Sequence, residues 1–168
     1  GIKEQRIPLV FDMSYKTFYE IGNHIDNEVG YLCFNFHNGA MNSEQAIRLK
    51  YAFEYLKEKV KVIVLIGARD FFSNGIHLNI LEDSKKQGED GWSNINAMND
   101  LINSILFADD VITISSLHKN AGAGGVFLAL SCDYVVGKEN VVLNAHYKTL
   151  GLSGSEYHTY SLPKRVGK

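Results

Sequence analysis

A strand, a loop of small residues and a helix start follow one another between Val111 and Leu130, and this order constrains the fold more than any other feature. Val111-Ile112-Thr113-Ile114-Ser115-Ser116-Leu117 is apolar and β-branched, the pattern of a buried strand. Asn120-Ala121-Gly122-Ala123-Gly124-Gly125 supplies the loop, and Val126-Phe127-Leu128-Ala129-Leu130 continues as a helix without a breaker. The first N–H groups of a helix have no partner within it, and its dipole adds positive potential there. Glycines let a ligand approach that backbone closely. Such a place suits an anionic oxygen: a phosphate, a carboxylate or the oxyanion of an attacked or enolised carbonyl. The loop lacks the Gly-Lys-Ser/Thr ending of a phosphate loop and does not open the chain as a dinucleotide fingerprint would. The same glycines equally suit a helix that merely packs tightly on a strand, and alone they do not decide.

The rest of the chain fits one globular domain. Its 168 residues are 45% hydrophobic and 21% charged, enough apolar material for a core. A net charge of −2 argues against nucleic acid or an anionic membrane as partner, and no apolar run has the length of a membrane span. Cys33 and Cys132 lie in apolar segments and read as buried thiols of a cytoplasmic protein. Residues 1–28 are expected to be a leading segment or linker, with Ile7–Phe11 extended and Ser14–Ile25 helical. Residues 29–168 are expected to form the domain, C-terminally truncated.

Tyr31–Phe36 reads as a strand, His37-Asn38-Gly39 as a turn, and Asn42 with Gln45 as the capping pair of a helix over Ser43 to Lys59. That helix is expected to bury Ile47, Tyr51, Tyr55, Leu49, Phe53 and Leu56. Val62–Gly67 is all apolar, as in a parallel strand covered on both faces. A second strand-to-helix junction follows at Phe72-Ser73-Asn74-Gly75-Ile76-His77-Leu78, where a plain Asn-Gly turn is the alternative. Ser84–Gly91 reads as a polar loop, Trp92–Phe107 as an amphipathic helix, Val135–Gly137 and Val141–Leu143 as strands, and Ser155–Leu162 as a helix.

Two such junctions, each presenting a backbone N–H, could together form an oxyanion hole. Phe72 to Leu78 resembles the first oxyanion motif of the crotonase (enoyl-CoA hydratase/isomerase) superfamily, and Ala121 to Ala129 resembles its second; Asn35 to Asn42 is similar to its early CoA-binding turn. The resemblance implies an α/β fold, a crotonase-like spiral of ββα units. It also implies that the N–H groups of Ile76 and Gly124 grip the thioester carbonyl of an acyl-coenzyme A. Asn74, Gly75, His77, Gly125, Phe127 and Tyr147 would then surround the substrate. The departures from the family pattern are chemical. Phe127 and His146 stand where hydratases carry two glutamates, and His77 where an aspartate is usual, so ordinary hydration of an enoyl-CoA is not expected.

Trp92–Ala97, Ser73–Asn79, Asn144–Lys148 and Gly154–Tyr160 further resemble the C-terminal domain of the HypX (HoxX) family of hydrogenase-maturation proteins. That resemblance implies a lyase domain that splits formyl-CoA into carbon monoxide and CoA, the carbon monoxide becoming a ligand of [NiFe]-hydrogenase. An N-terminal formyl-tetrahydrofolate-dependent domain and the hydrogenase-maturation machinery would be its partners. The alternatives are a generic enoyl-CoA hydratase/isomerase, a thioester hydrolase, or a non-catalytic CoA-binding docking module. Candidates for proton transfer are His146, Ser155, Glu156, Tyr157 and Tyr160, with Glu156 and Tyr160 expected on one helix face. Each has a plainer reading: a core imidazole for His146, a helix cap for Ser155, a surface charge for Glu156, and packing for the tyrosines. His77 equally suits a role orienting the first loop. Lys119 and Arg69 are the nominees for the CoA phosphates, though either suits a solvated charge. The remaining histidines lack metal-ligand spacing, so no metal is expected.

Overall fold

A computed structural model of the chain describes residues 20–78, 82, 84–149, 151 and 153–167. The expected extended stretch Ile7–Phe11, and the helix over residues 14–19, lie outside the described residues. The main sheet has five strands in the order β1-β2-β4-β6-β8. These are β1 (Ile21–Asp26), β2 (Val29–Phe34), β4 (Val62–Ile66), β6 (Ile112–Leu117) and β8 (Tyr134–Gly137). β1 pairs antiparallel with β2, and every later neighbour is parallel. Two small parallel ladders lie apart from this sheet: β3 (Ala40–Met41) with β5 (Gly75–Ile76), and β7 (Ala121–Gly122) with β9 (Leu143–Asn144). The helices are α1 (Ser43–Lys57), α2 (Gln87–Leu106), α3 (Gly124–Leu130) and α4 (His158–Val166).

Alternating residues of the central strands set the core. Leu32, Phe34, Ile63 and Leu65 are buried in one cluster with Leu49, Phe53 and Leu56 of α1, Met98, Leu101 and Ile105 of α2, and Phe127 and Leu128 of α3. The other face of β4 is only half-buried, so this strand is not enclosed equally on both sides as its composition suggests. Among the described residues, no helix is long and apolar enough to cross a membrane.

Several expectations are corrected by the packing. Residues 21–26 form a strand, not a helix or part of a linker, and are hydrogen-bonded along β2. The hairpin turns at Asn27, whose φ of 54° suits asparagine. On α1, Ala46, Leu49, Phe53 and Leu56 take the core face, while Ile47, Tyr51 and Tyr55 are exposed on the opposite side. A helix buries one stripe, and the two candidate stripes lie about half a turn of the wheel apart. α2 begins at Gln87, inside the expected loop, with Glu89 and Asp90 in its first turn where the dipole favours acids. The polar composition there reflects exposure. The strand expected at Val141–Leu143 is the short β9, Leu143–Asn144.

The cap of α1 matches its sequence signal in both directions. Gln45 N–H donates to Asn42 Oδ1 and Asn42 N–H to Gln45 Oε1, each at 2.9 Å. Asn42→Ala is expected to cost about 1 kcal/mol, read as a melting temperature lowered by about 3 °C.

Candidate active site

Two loops meet at the site, joined by Phe72 N–H to Asn120 O and Gly122 N–H to Ser73 O, while their other hydrogen bonds fix each to a flanking segment. In the first, Asn74 N–H donates to Gly39 O at 2.7 Å, Asn74 Nδ2 to Asn38 O at 2.6 Å, and His77 N–H to Met41 O at 3.0 Å. Gly75 takes φ of 76°, a conformation in which a side chain is strained. In the second, Ala121 N–H donates to Val142 O, Gly122 N–H to Ser73 O and Ala123 N–H to Asn144 O. The helix then opens at Gly124, with N–H groups its own turns do not use. Contact between the loops is close: a Cβ on Gly75 would lie 2.8 Å from Gly124 N.

Ala123 enters the helix with φ 43° and ψ −130°, a region unfavourable to any residue with a Cβ. Ala123→Gly is therefore expected to raise stability by about 1 kcal/mol, measured by urea denaturation.

A cavity of about 310 Å³ opens in front of the loops, lined in part by Ile76, His77, Gly122, Ala123 and His146. His146 is exposed there with φ 57°, and its N–H donates to Asn144 Oδ1 at 3.1 Å. It is not a core imidazole.

Glu156 approaches from the other side and is only 2% exposed, so it is not a surface charge. A Cβ on Gly124 would lie 2.5 Å from Glu156 Oε1, which sets that oxygen against the helix start. The other oxygen, Oε2, accepts the hydroxyls of Tyr147, at 2.6 Å, and of Ser155. Burial, reinforced by the Glu156 charge, pushes the Tyr147 phenol far up, so it stays a hydrogen-bond donor. Its ring stacks on Phe127 at 5.4 Å and meets His158 edge-on at 5.7 Å. Phe127 is 2% exposed and thus supports Tyr147 from within the core. Gly125 also packs inward, against the Ser73 backbone.

Glu156 and Tyr157 have φ of 53° and 55°, so α4 starts only at His158. Ser155 is therefore not its cap, and Glu156 and Tyr160 do not share a helix face. Tyr160 is 40% exposed, with its ring near Phe107 and under the Lys164 ammonium. Glu156, Ser155 and Tyr157 border a second cavity of about 260 Å³ with Asn99, whose Oδ1 accepts the Glu156 N–H at 2.9 Å. Asn99 had no sequence signal, because it reaches the site from the middle of a distant helix.

Arg69 and Lys119 are both exposed. Burial raises the thiol pKa values of Cys33 and Cys132, the latter to about 12, which leaves neither a nucleophile near neutrality. Among the described residues, no group of three or more His, Cys, Asp or Glu is placed to hold a metal ion.

Parallel strands feed two touching glycine-containing loops, the second of which opens a helix. The chain belongs to the enoyl-CoA hydratase/isomerase family, whose profile matches residues 25–168. It is similar to the hydrogenase maturation factor HoxX of Bradyrhizobium diazoefficiens, at 44% identity over 142 residues, covering 83% of this chain and 25% of that protein. Crystalline HypX from Aquifex aeolicus in complex with tetrahydrofolic acid superposes with a TM-score of 0.87 at 50% identity, covering 90% of this chain and 27% of HypX. A putative enoyl-CoA hydratase from Thermobifida fusca, crystallised with acetoacetyl-CoA, shares the fold at TM-score 0.74 and 24% identity, over 88% of this chain and 62% of its own. The chain thus spans about a quarter of the HoxX and HypX relatives.

Proposed function

We propose that this chain is the acyl-CoA-processing domain of a HypX-type hydrogenase-maturation protein and that it splits formyl-CoA into carbon monoxide and CoA. The observation that carries the reading is the buried Glu156 carboxylate held against Gly124, with Oε2 occupied by two hydroxyls and Oε1 turned to the loop. The N–H groups of Ile76 and Gly124 hold the formyl oxygen and draw electron density from the carbonyl carbon. Glu156 takes the formyl proton. The C–H electron pair stays on carbon, the C–S pair leaves with sulfur, and carbon monoxide departs without any change in net oxidation state. His146, on the open cavity, protonates the thiolate and is recharged from solvent, while Glu156 returns its proton there. Asn74, Gly75, His77 and Gly125 shape the loops around the thioester, and Phe127 and Tyr147 support Glu156.

Similarity to HoxX and HypX supports the wider assignment. In it, a formyl-tetrahydrofolate-dependent domain supplies the formyl group, and the carbon monoxide passes to hydrogenase maturation in the cytoplasm. Phe127, an aromatic where hydratases carry an acid, argues against enoyl-CoA hydration. The test is to incubate the protein with formyl-CoA and reduced haemoglobin and follow the carbonyl-haemoglobin spectrum, with an enoyl-CoA in parallel. Carbon monoxide and free CoA in equal amounts are expected. CoA without carbon monoxide would make the chain a thioester hydrolase, turnover of the enoyl-CoA a hydratase, and CoA binding without turnover a docking module.

A further inference from the structure

We propose that Asn99 is a positioning residue that keeps the Glu156 carboxylate against Gly124 by anchoring the Glu156 peptide N–H; this rests on the reading of Glu156 as proton acceptor. The turn that carries Glu156 is conformationally costly. Glu156 and Tyr157 are consecutive left-handed residues, at φ 53° and 55°, and neither is glycine. Such backbone persists only where its surroundings over-determine it. Ser155 holds the carboxylate but belongs to the same turn and would move with it. His158 Nδ1 donates to Ser155 O, which also ties the segment only to itself. Tyr147 fastens the side chain, and its phenol also meets the Ser155 backbone, one residue before the two left-handed positions. Asn99 differs in kind: it stands on the long helix α2, itself packed on α1, and its Oδ1 accepts the Glu156 N–H at 2.9 Å. It is thus a backbone anchor from outside the turn, and it borders the same cavity as Ser155 and Glu156. Without it, the turn can relax toward commoner backbone angles and draw Oε1 away from the loop.

The test compares Asn99→Ala, Asn99→Asp and Glu156→Gln with the unmodified protein in formyl-CoA turnover under the same conditions. Asn99→Ala is expected to lower kcat by about 10²-fold with KM and melting temperature essentially unchanged, since a displacement near 1 Å has that effect on chemistry. Asn99→Asp, which keeps an oxygen for the same N–H, is expected to recover most of the loss. Amide exchange at Glu156 is expected to quicken in the alanine variant and not in the aspartate variant, whatever the substrate. Unchanged exchange, full kcat in Asn99→Ala, or a loss confined to KM and stability would overturn the role of Asn99. A fully active Glu156→Gln would instead remove the reading on which it rests.

Discussion

Glu156→Gln is expected to reduce carbon monoxide release from formyl-CoA by about 10³-fold, within the range spanned by positioned acid–base groups, while the melting temperature stays put. Glutamine has the same shape, and its amide oxygen can still accept the Tyr147 and Ser155 hydroxyls that now meet Oε2. The burial of the segment and the Asn99 hydrogen bond to its backbone are untouched. What disappears is the capacity to take up a proton next to Gly124. Stopped-flow haemoglobin spectra with a matched thermal melt check both halves. A variant with full turnover would move proton acceptance to another group, His146 being the next on the open cavity.

Gly125→Ala is expected to have the larger effect on the fold, about 3 kcal/mol and a melting temperature lower by about 10 °C. The added Cβ would lie 2.1 Å from Ser73 O and 2.3 Å from Ser73 C. That backbone cannot yield easily, because Ser73 O also accepts the Gly122 N–H and Ser73 pairs with Ala121. Gly124→Ala makes the contrast: its Cβ meets the far end of the Glu156 side chain at 2.5 Å, and a side chain can swing aside. The alanine at 124 is therefore expected to leave the melt close to that of the unmodified protein while turnover falls by about 10²-fold. If both variants melted alike, the division of labour between neighbouring glycines would be wrong.

The sequence made some of this legible because the signals were local. The capping pair Asn42 and Gln45, the β-branched run before Leu117, and the glycines opening α3 each act within a few residues, and each forms the element expected of it. Long-range packing was harder to read. Ile47, Tyr51 and Tyr55 have helical spacing as good as that of Leu49, Phe53 and Leu56, and only the position of the sheet decides which stripe is buried. The Glu156 turn was hidden for another reason. Ser155 to Leu162 has helical composition, but two left-handed residues postpone the helix to His158, and a hydrogen bond from α2 holds them there. No periodicity in the residues themselves encodes a partner so far along the chain. The aromatic stack of Phe127, Tyr147 and His158 was equally invisible, since its members come from three segments.

The loops at residues 73–77 and 121–125 are tied together largely through backbone groups, whereas the carboxylate arrives on a separate turn. Peptide groups are indifferent to most substitutions, and a turn can change its side chains without disturbing the loops it faces. The architecture is in that sense modular. On the proposed reading, variation at the few positions that face the loops, Phe127 and the stretch from His146 to Glu156, can exchange the reactive group presented to a bound carbonyl while the backbone that holds that carbonyl stays constant, so new chemistry on this scaffold calls for few mutations.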